Sequence, residues 1–293
     1  MSSTTAIVTL AIGTRYLQRW KRLCQANWRQ YAEKYGFDLI CLDSPIDDSE
    51  RARKRSPAWQ KCLILTQNFA ARYERIVWVD ADILINPASP CIVQDVPLEK
   101  VGAVDEYSSP TADQYRQIVQ ELYRFWEARG VPFIRNETAE EYYRQYGLPL
   151  AFPRVVQAGV MVLSPRHHRQ ILEETYFSYE EKGSAIWNYE MRPLSYELLK
   201  ADCVHWLDYR FNTLWTHYQS WKYPTLRANP KYTLLLLHPK LTVAKECAAR
   251  AFTESYFLHF AGCREEEMAA VCRAIDPAAS PPPAKRAVTL IRG

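Results

Sequence analysis

The sequence contains little glycine and no long apolar run. Only 9 of its 293 residues are glycine, while 48% are hydrophobic and 24% are charged, a composition that excludes a mostly disordered chain. No stretch approaches the ~20 consecutive apolar residues of a membrane-spanning helix. The apolar stretch at 6–12 is short for a signal peptide and follows no basic region. We therefore expect a cytoplasmic protein without a transmembrane segment. Peripheral association with a membrane stays open.

The chain also lacks a strong charge imbalance. Its net charge is +4, and the basic residues are widely spread apart from a short run at 51–55. Nucleic-acid-binding domains usually concentrate positive charge on one face, so we expect no nucleic-acid partner.

No two of the eight cysteines form a Cys-x-x-Cys pair. Several lie in apolar segments, where a free thiol behaves as a small hydrophobic side chain. We therefore expect buried, reduced cysteines, and a disulfide framework or a zinc site is the less favoured alternative.

The apolar pattern predicts an α/β fold. Strands are expected at 6–11, 37–42 and 76–85, with helical spacing at 16–35 and 59–73 between them. This β-α-β-α-β order predicts a mostly parallel central sheet flanked by helices, with right-handed crossovers.

The rest of the chain continues this pattern as one domain at 1–276. Residues 111–146 are polar, aromatic and helical in character, which predicts a helical insertion at about 107–150. Proline and small residues at 277–293 predict a flexible tail. The remaining predicted elements are strands at 101–104, 154–163 and 204–207 and helices at 166–179 and 190–200.

Two carboxylates interrupt the most apolar of the predicted strands. Asp80 and Asp82 flank Ala81 in the run Ile76–Ile85 and would share one face of an extended chain. Buried carboxylates are costly unless a cation or hydrogen-bond donors offset their charge. A hard divalent cation bound through oxygen is the simplest such partner. A pair that only caps the next helix or loop is the structural alternative.

Open α/β sheets bind ligands beyond the carboxyl ends of their strands. The loop at 11–16 follows the first strand, and Asp105 and Glu106 follow the strand at 101–104. These segments should therefore meet the aspartates at one rim of the sheet.

The ordered motifs resemble those of a known family. Asp80-Ala81-Asp82 resembles the DxD motif of nucleotide-sugar glycosyltransferases with the GT-A fold, a Rossmann-like α/β fold. Gln157-Ala158-Gly159-Val160 is similar to an Asn-Ala-Gly-Val strand of glycogenin-like and lipopolysaccharide galactosyltransferase-like enzymes, and His259-Phe260-Ala261-Gly262 resembles the start of their His-x-x-Gly-x-x-Lys motif. The resemblance covers roughly 5–265, with a donor half at about 1–105 and an acceptor half at about 151–265.

The resemblance implies a metal-dependent hexosyltransferase that uses a nucleotide-sugar donor, with UDP favoured over GDP, and an unknown hydroxyl acceptor. Mn²⁺ or Mg²⁺ would be held by Asp80, Asp82 and His259. The resemblance also implies donor contacts, which would come from Ala11, Ile12, Gly13, Thr14, Tyr16, Lys61, Asp80, Ala81, Asp82, Gln157, Ala158, Gly159, Gly262 and Arg264.

Two positions depart from the family pattern. Gln157 stands where the family commonly has asparagine, and Glu265 stands where a phosphate-binding lysine is expected. Arg264, next to Glu265, is the candidate to replace that lysine.

Glu190 and Asp105 are the candidate catalytic carboxylates, and Asn212 is a further polar candidate. The resemblance favours retention of the anomeric configuration. Two other functions stay open. In a haloacid-dehalogenase-type phosphatase, the first aspartate of such a motif is a nucleophile. A catalytically inactive sugar-nucleotide-binding protein is the second alternative.

Overall fold

The computed structural model describes residues 3–182, 190–224, 242–263, 265–275 and 289–291. Its strands form one large and one small sheet. The strands are β1 (Thr5–Leu10), β2 (Asp38–Leu42), β3 (Arg75–Val79), β4 (Ile83–Ile85), β5 (Val101–Asp105), β6 (Val156–Leu163), β7 (Val204–Trp206), β8 (Thr213–Leu214), β9 (Phe257–His259) and β10 (Thr289–Ile291).

The large sheet has seven strands in the order β10-β2-β1-β3-β6-β5-β7. Four of its pairings are parallel, namely β10 with β2, β2 with β1, β1 with β3, and β5 with β7. Strand β6 runs antiparallel to both β3 and β5. The expectation of a mostly parallel central sheet is therefore confirmed, with β6 as the reversed strand.

Helices flank the large sheet. They are α1 (Thr14–Leu23), α2 (Gln25–Tyr35), α3 (Glu50–Arg53), α4 (Ala112–Glu127), α5 (Ala139–Tyr146), α6 (Pro165–Ser178), α7 (Met191–Lys200), α8 (Trp215–Lys222), α9 (Thr242–Glu254) and α10 (Glu265–Ile275). Among the described residues, no helix is both long and apolar enough to cross a membrane.

The helix expected at 16–35 is in fact two helices, α1 and α2, that meet at Cys24. The Cys24 thiol donates to the carbonyl of Ala81, 3.4 Å away, which ties this break to the aspartate segment. The helix expected at 59–73 is two 3₁₀ helices, Pro57–Thr66 and Ala70–Arg72.

The expectation of one strand at 76–85 is wrong. The chain leaves the large sheet after Val79, turns through Asp80-Ala81-Asp82, and enters the three-stranded sheet β4-β9-β8. The sequence stays apolar from Ile76 to Ile85 because β3 and β4 are both buried. Which sheet each strand joins depends on its pairing with a distant segment of the chain. Ile76–Val79 pair with β6, whereas Ile83–Ile85 pair with β9.

The far end of the expected tail contains a strand. Residues Thr289–Ile291 form β10 and pair with Ile40–Leu42 of β2. An open edge of β2 offers unpaired backbone groups, which a short apolar segment can satisfy. Residues 277–288 lie outside the described part of the chain.

Alternate residues of the large sheet enter two different cores. Ile7 and Val77 belong to one buried cluster, and Ala6, Val8 and Ile76 belong to another. This alternation follows from the period-two geometry of strands and means that both faces of the sheet are covered. A third cluster, rich in tyrosine, fills the helical insertion. All eight cysteines are free thiols, but only Cys24, Cys41, Cys62 and Cys247 are buried, and the other four are partly buried.

Candidate active site

A cavity of about 560 Å³ opens at the turn between β3 and β4. One end of it is polar and charged, and the other extends into the helical insertion, where aromatic side chains dominate. The ionisable and amide side chains at the polar end are Lys61, Asp80, Asp82, Glu106, Gln157, Glu190 and His259.

Three of these side chains converge closely. The Nε2 atom of His259 lies 3.3 Å from Oδ1 of Asp82 and 3.9 Å from Oδ2 of Asp80. One potential ligand atom from each residue lies within 4.8 Å of the other two. His259 reaches the turn because β9 pairs with β4, which sets His259 opposite Ile83.

Hydrogen bonds behind His259 determine which of its nitrogens faces the aspartates. Nδ1 of His259 lies 2.9 Å from Oδ1 of Asn212, and Nδ2 of Asn212 donates to Oε1 of Gln157 at 2.8 Å. The same Gln157 oxygen accepts from the backbone N–H of Gly159 at 2.6 Å. Since Asn212 uses its amide nitrogen toward Gln157, its oxygen accepts a proton from Nδ1 of His259. Nε2 is therefore the nitrogen that faces the two carboxylates, and in the neutral imidazole it would carry the lone pair that can bind a metal ion.

Gly159 is required by this arrangement. A Cβ atom at this position would lie 2.5 Å from Cε1 of His259 and 2.9 Å from Oε1 of Gln157. Any larger residue in β6 would therefore displace the imidazole. The glycine of the predicted Gln157-Ala158-Gly159 strand thus leaves the space that the imidazole of His259 occupies.

The three side chains fit a divalent metal ion. Ligand atoms that share an octahedral ion at bonds of about 2.1 Å lie roughly 3 Å apart, and a small inward movement would bring these atoms to that spacing. Carboxylate oxygens with one imidazole suit Mn²⁺ and Mg²⁺ better than thiolate-seeking metals. The donor set, the orientation of Nε2 of His259 and the hydrogen bonds that fix this orientation therefore all fit a divalent metal ion.

Lys61 balances part of the negative charge. Its Nζ lies 3.0 Å from Oδ1 of Asp80 and 2.8 Å from Oε1 of Glu190, and the lysine side chain is only 5% exposed. Burial alone would lower the pKa of Lys61, but the carboxylates of Asp80 and Glu190 outweigh it and raise the pKa above its usual value. Lys61 thus stays charged and holds Glu190, which is itself buried, at the cavity wall.

The two aspartates differ in environment. Burial raises the pKa of Asp80, against the opposing charges of Lys61 and His259. For Asp82 burial acts in the same direction, but His259 and Arg19 outweigh it and lower the pKa below its usual value. Trp78 Nε1 also donates to Oδ1 of Asp80 at 2.8 Å.

Asp105 lies apart from the cavity, in contrast to its expected catalytic role. Its Oδ1 accepts from the backbone N–H groups of Tyr107 and Val155, and its Oδ2 lies 3.6 Å from Nε of Arg154. The neighbouring Glu106 lines the cavity instead, and its Oε2 has no hydrogen-bond partner among the described residues. Burial and the charge of Asp105 raise the pKa of Glu106 to about 7. Asp105 is the last residue of β5 and caps the 3₁₀ helix Glu106–Ser108, which Glu106 begins, and the sequence alone did not indicate which of the two faces the site.

The loop expected to bind the nucleoside lies at the same edge of the large sheet but lines a separate open groove. Gly13 and Thr14 face Asp43 and Ser44, which follow β2, across a groove of about 620 Å³. Ala11 is buried and donates from its N–H to the carbonyl of Leu42 at 2.8 Å. Ile12 is partly buried at the end of β1, and Tyr16 is 60% exposed on α1.

The late motif is only partly described. Gly262 lines the cavity. Ala81 lies in the turn between Asp80 and Asp82, and the carbonyl oxygen of Ala158 lies 3.3 Å from Nζ of Lys61. Arg264 lies outside the described residues. Glu265 begins α10 and forms an ion pair with Arg22 of α1.

Sequence reasoning missed Arg19 and the role of Asn212. Nη2 of Arg19 lies 3.9 Å from Oδ2 of Asp82, and its side chain is 15% exposed. Its Nε is buried and has no hydrogen-bond partner within the described part of the chain. Helical spacing from the loop at 11–16 could have placed Arg19 near the rim, whereas the contact of Asn212 with His259 joins the 3₁₀ helix Tyr209–Asn212 to β9, which no local pattern connects.

Comparisons with known proteins identify the fold. Neither a protein-family model nor a curated protein sequence matches the chain. Among solved structures, a glycosyltransferase involved in glycosylation of the major capsid of PBCV-1 matches over 92% of this chain and 98% of its own, with 13% identity and a TM-score of 0.50.

Two further structures were also found. The bifunctional glycosyltransferase WbbM matches at 11% identity and a TM-score of 0.49, over 94% of this chain and 50% of its own. The galactosyltransferase LgtC matches at 12% identity and a TM-score of 0.43, over 92% of this chain and 96% of its own. From the sheet topology and the match to the PBCV-1 capsid glycosyltransferase, we conclude that the chain has the GT-A fold of glycosyltransferases.

Proposed function

We propose that the protein is a metal-dependent glycosyltransferase that moves a hexose from a nucleotide-diphosphate sugar to a hydroxyl acceptor. The observation that carries this proposal is the convergence of Asp80, Asp82 and Nε2 of His259 at the wall of a large cavity in a GT-A fold. If Asp80 and Asp82 only capped a helix or loop, there would be no need for a histidine whose ring is oriented by the side-chain amides of Asn212 and Gln157.

Asp80, Asp82 and His259 would hold Mn²⁺ or Mg²⁺, which when bound supplies Lewis-acid stabilisation of a departing diphosphate. Lys61 keeps Asp80 and Glu190 in fixed positions without competing for Nε2 of His259. Arg19 brings a second positive charge to the outer side of Asp82, where phosphate oxygens would accept from its unpaired Nε.

The carboxylates that remain at the cavity wall are suited to the transferred sugar and the acceptor hydroxyl. Glu190 is held by Lys61, whereas Glu106 has a raised pKa and is free to exchange a proton near neutral pH. UDP-sugars are the favoured donors, GDP-sugars are the second choice, and the expected stereochemical outcome is retention. These finer points rest on the motif resemblance.

The phosphatase alternative fits the site less well. A nucleophilic aspartate needs an oxygen that can reach phosphorus, but both Asp80 oxygens contact Lys61 and one also accepts from Trp78. The inactive-protein alternative predicts the same nucleotide binding and differs only in turnover.

Thermal-shift measurements with UDP- and GDP-sugars, each with and without Mn²⁺, test the proposal. We expect stabilisation that requires both nucleotide and metal, because only binding to the folded state raises the melting temperature. Asp82→Asn should abolish this response while keeping the fold, and Asp113→Asn, at an exposed aspartate of α4, is the matched control.

Failure of every nucleotide sugar together with turnover of a phosphate monoester would overturn the proposal. Metal-dependent hydrolysis of a donor to free sugar would separate an active enzyme from a scaffold. The anomeric configuration of the product, read by NMR, tests retention.

A further inference from the structure

The cavity continues beyond the metal-binding residues into the helical insertion. This part, here called the aromatic arm, presents ring faces from α4, α5 and the segments around them. Its aromatic members are Tyr107, Tyr115, Tyr123, Trp126, Phe133 and Tyr142.

The rings pack against one another in fixed geometries. Tyr123 and Phe133 stack with centroids 4.9 Å apart and an interplanar angle of 10°, and Trp126 lies 5.5 Å from Phe133. Tyr107 and Tyr115 are 4.5 Å apart deeper in the arm. Trp126 and Phe133 are only partly buried, so part of each ring remains available to a ligand.

The polar atoms of the arm are largely used within the protein. The Tyr107 hydroxyl donates to Oδ1 of Asn136 at 2.8 Å, and the Tyr123 hydroxyl donates to the Asn136 carbonyl at 2.8 Å. The Asn136 side-chain nitrogen donates to Oε1 of Gln145. A ligand in the arm would therefore meet ring faces more often than unpaired donors.

The arm also carries no lysine, arginine, aspartate or glutamate among its described lining residues, which besides the aromatic members are Val119, Leu122, Ile134, Asn136 and His217. Two guanidinium groups, those of Arg135 and Arg192, pack on its rings but do not line the cavity. Aspartate, glutamate and lysine side chains line only the end that holds Asp80, Asp82 and Glu106, whereas the ring of His217 lies 5.8 Å from that of Tyr115. An anionic group in the arm would lose its hydration with no lysine or arginine among the arm's described lining residues to offset its charge.

We propose that the aromatic arm binds the acceptor, and that this acceptor is an uncharged molecule that presents a ring to Trp126 and Phe133. The proposal rests on the proposed glycosyltransferase function. The arm is continuous with the polar end, so a bound ring would place its hydroxyl toward Glu106 and Glu190. Flat apolar faces, such as an aryl group or the C–H face of a pyranose, match the stacking surface.

Binding of acceptor surrogates to the full chain tests this inference without turnover. Phenyl β-glucoside, methyl β-glucoside and glucose 6-phosphate would be titrated by calorimetry, each with and without UDP and Mn²⁺. We expect phenyl glucoside to bind most tightly, methyl glucoside more weakly, and glucose 6-phosphate not at all. If the arm binds an aryl group and a pyranose ring equally well, phenyl glucoside and methyl glucoside will bind with equal affinity, and this result also supports the inference.

Variants locate the binding. Trp126→Ala and Phe133→Ala should each weaken phenyl glucoside binding by roughly 3- to 10-fold, the effect of one lost stacking partner. Phe177→Ala, at an exposed aromatic residue of α6, should change nothing. UDP affinity, measured on the same samples, should be unaltered in all three variants.

Unchanged phenyl glucoside affinity in both arm variants, no binding of either neutral glycoside, or stronger binding of glucose 6-phosphate would each overturn the inference. Failure of the broader proposal gives a different result, because UDP with Mn²⁺ would then leave the wild-type protein unaffected.

Discussion

At the residue scale, the orientation of His259 depends on side chains that never touch the expected ligand. Asn212 accepts from Nδ1 of His259 and donates to Gln157, which in turn accepts from the backbone of Gly159. The amide that departs from the usual family residue thus has a defined task in this chain. Gln157 aligns Asn212, which in turn orients the ring of His259.

Removing this support should weaken metal binding. We expect Asn212→Leu to lower Mn²⁺ affinity by roughly 10- to 100-fold, the usual cost of losing a hydrogen-bond partner behind a metal-binding histidine. Asn212→Asp keeps an acceptor for Nδ1 and should lose less. Calorimetric Mn²⁺ titrations would measure the affinities, with Gln170→Leu on the exposed side of α6 as the control. Equal affinities for Asn212→Leu and wild type would refute the role of Asn212.

Arg19 permits a second test at this scale. Its buried, unpaired Nε and its distance of 3.9 Å from Asp82 suit a charge-assisted bond to phosphate. We expect Arg19→Ala to weaken binding of UDP by roughly 10- to 100-fold while leaving uridine binding unchanged. Arg169→Ala, at an exposed arginine of α6, provides the control. Equal loss of uridine and UDP would mean that Arg19 supports the fold instead.

At the element scale, local pattern predicted most strands but not their partners. The periods around 6–11 and 37–42 identified β1 and β2 to within one residue or so. The run at 76–85 looked continuous because Ile83–Ile85 is as apolar as β3, yet its pairing with β9 is a contact between distant segments. Local pattern also failed to predict β10, because this strand depends on its pairing with the free edge of β2.

The contribution of β10 is measurable. Ending the chain after residue 288 removes the three residue pairs with β2, and hydrogen bonds of this kind contribute about 0.5–1.5 kcal/mol each. We expect a melting temperature lower by a few degrees, as scanning calorimetry would show. A chain that ends after Ile291 should melt like the full protein. Coincident melting curves for all three forms would show that β10 adds no stability.

At the scale of the whole molecule, the sequence predicted the fold class and the three residues of the candidate metal site, because both depend on ordered motifs. It did not distinguish Asp105 from Glu106, since only the packed sheet shows which carboxylate enters the cavity. It also did not separate the loop at 11–16 from the main cavity. Such features depend on how distant segments pack, and composition and period do not record them.

Glu106 links the cavity to the stability of the whole chain. Its folded-state pKa of about 7 exceeds the ordinary 4.5, so the folded protein binds the proton more tightly than the unfolded chain. Stability should therefore fall as pH rises from about 4.5 to about 7 and then level off. Glu106→Gln removes this dependence.

We expect Glu106→Gln to equal wild type at low pH and to be more stable above pH 7, by on the order of 1–3 kcal/mol. Denaturant unfolding in the presence of a chelator, across the pH range, measures this difference. Glu121→Gln on the exposed side of α4 is the control. A constant difference between Glu106→Gln and wild type at every pH would contradict the assigned pKa.

The turn at Asp80-Ala81-Asp82 joins the large sheet to the small one, and His259 belongs to the small sheet. A metal ion held by all three side chains would act as a clamp across this junction. Its removal would then loosen more than the ligand shell, because β4 and β9 would be free to shift against β3. Amide hydrogen exchange in the small sheet should consequently report metal occupancy, even with no nucleotide present.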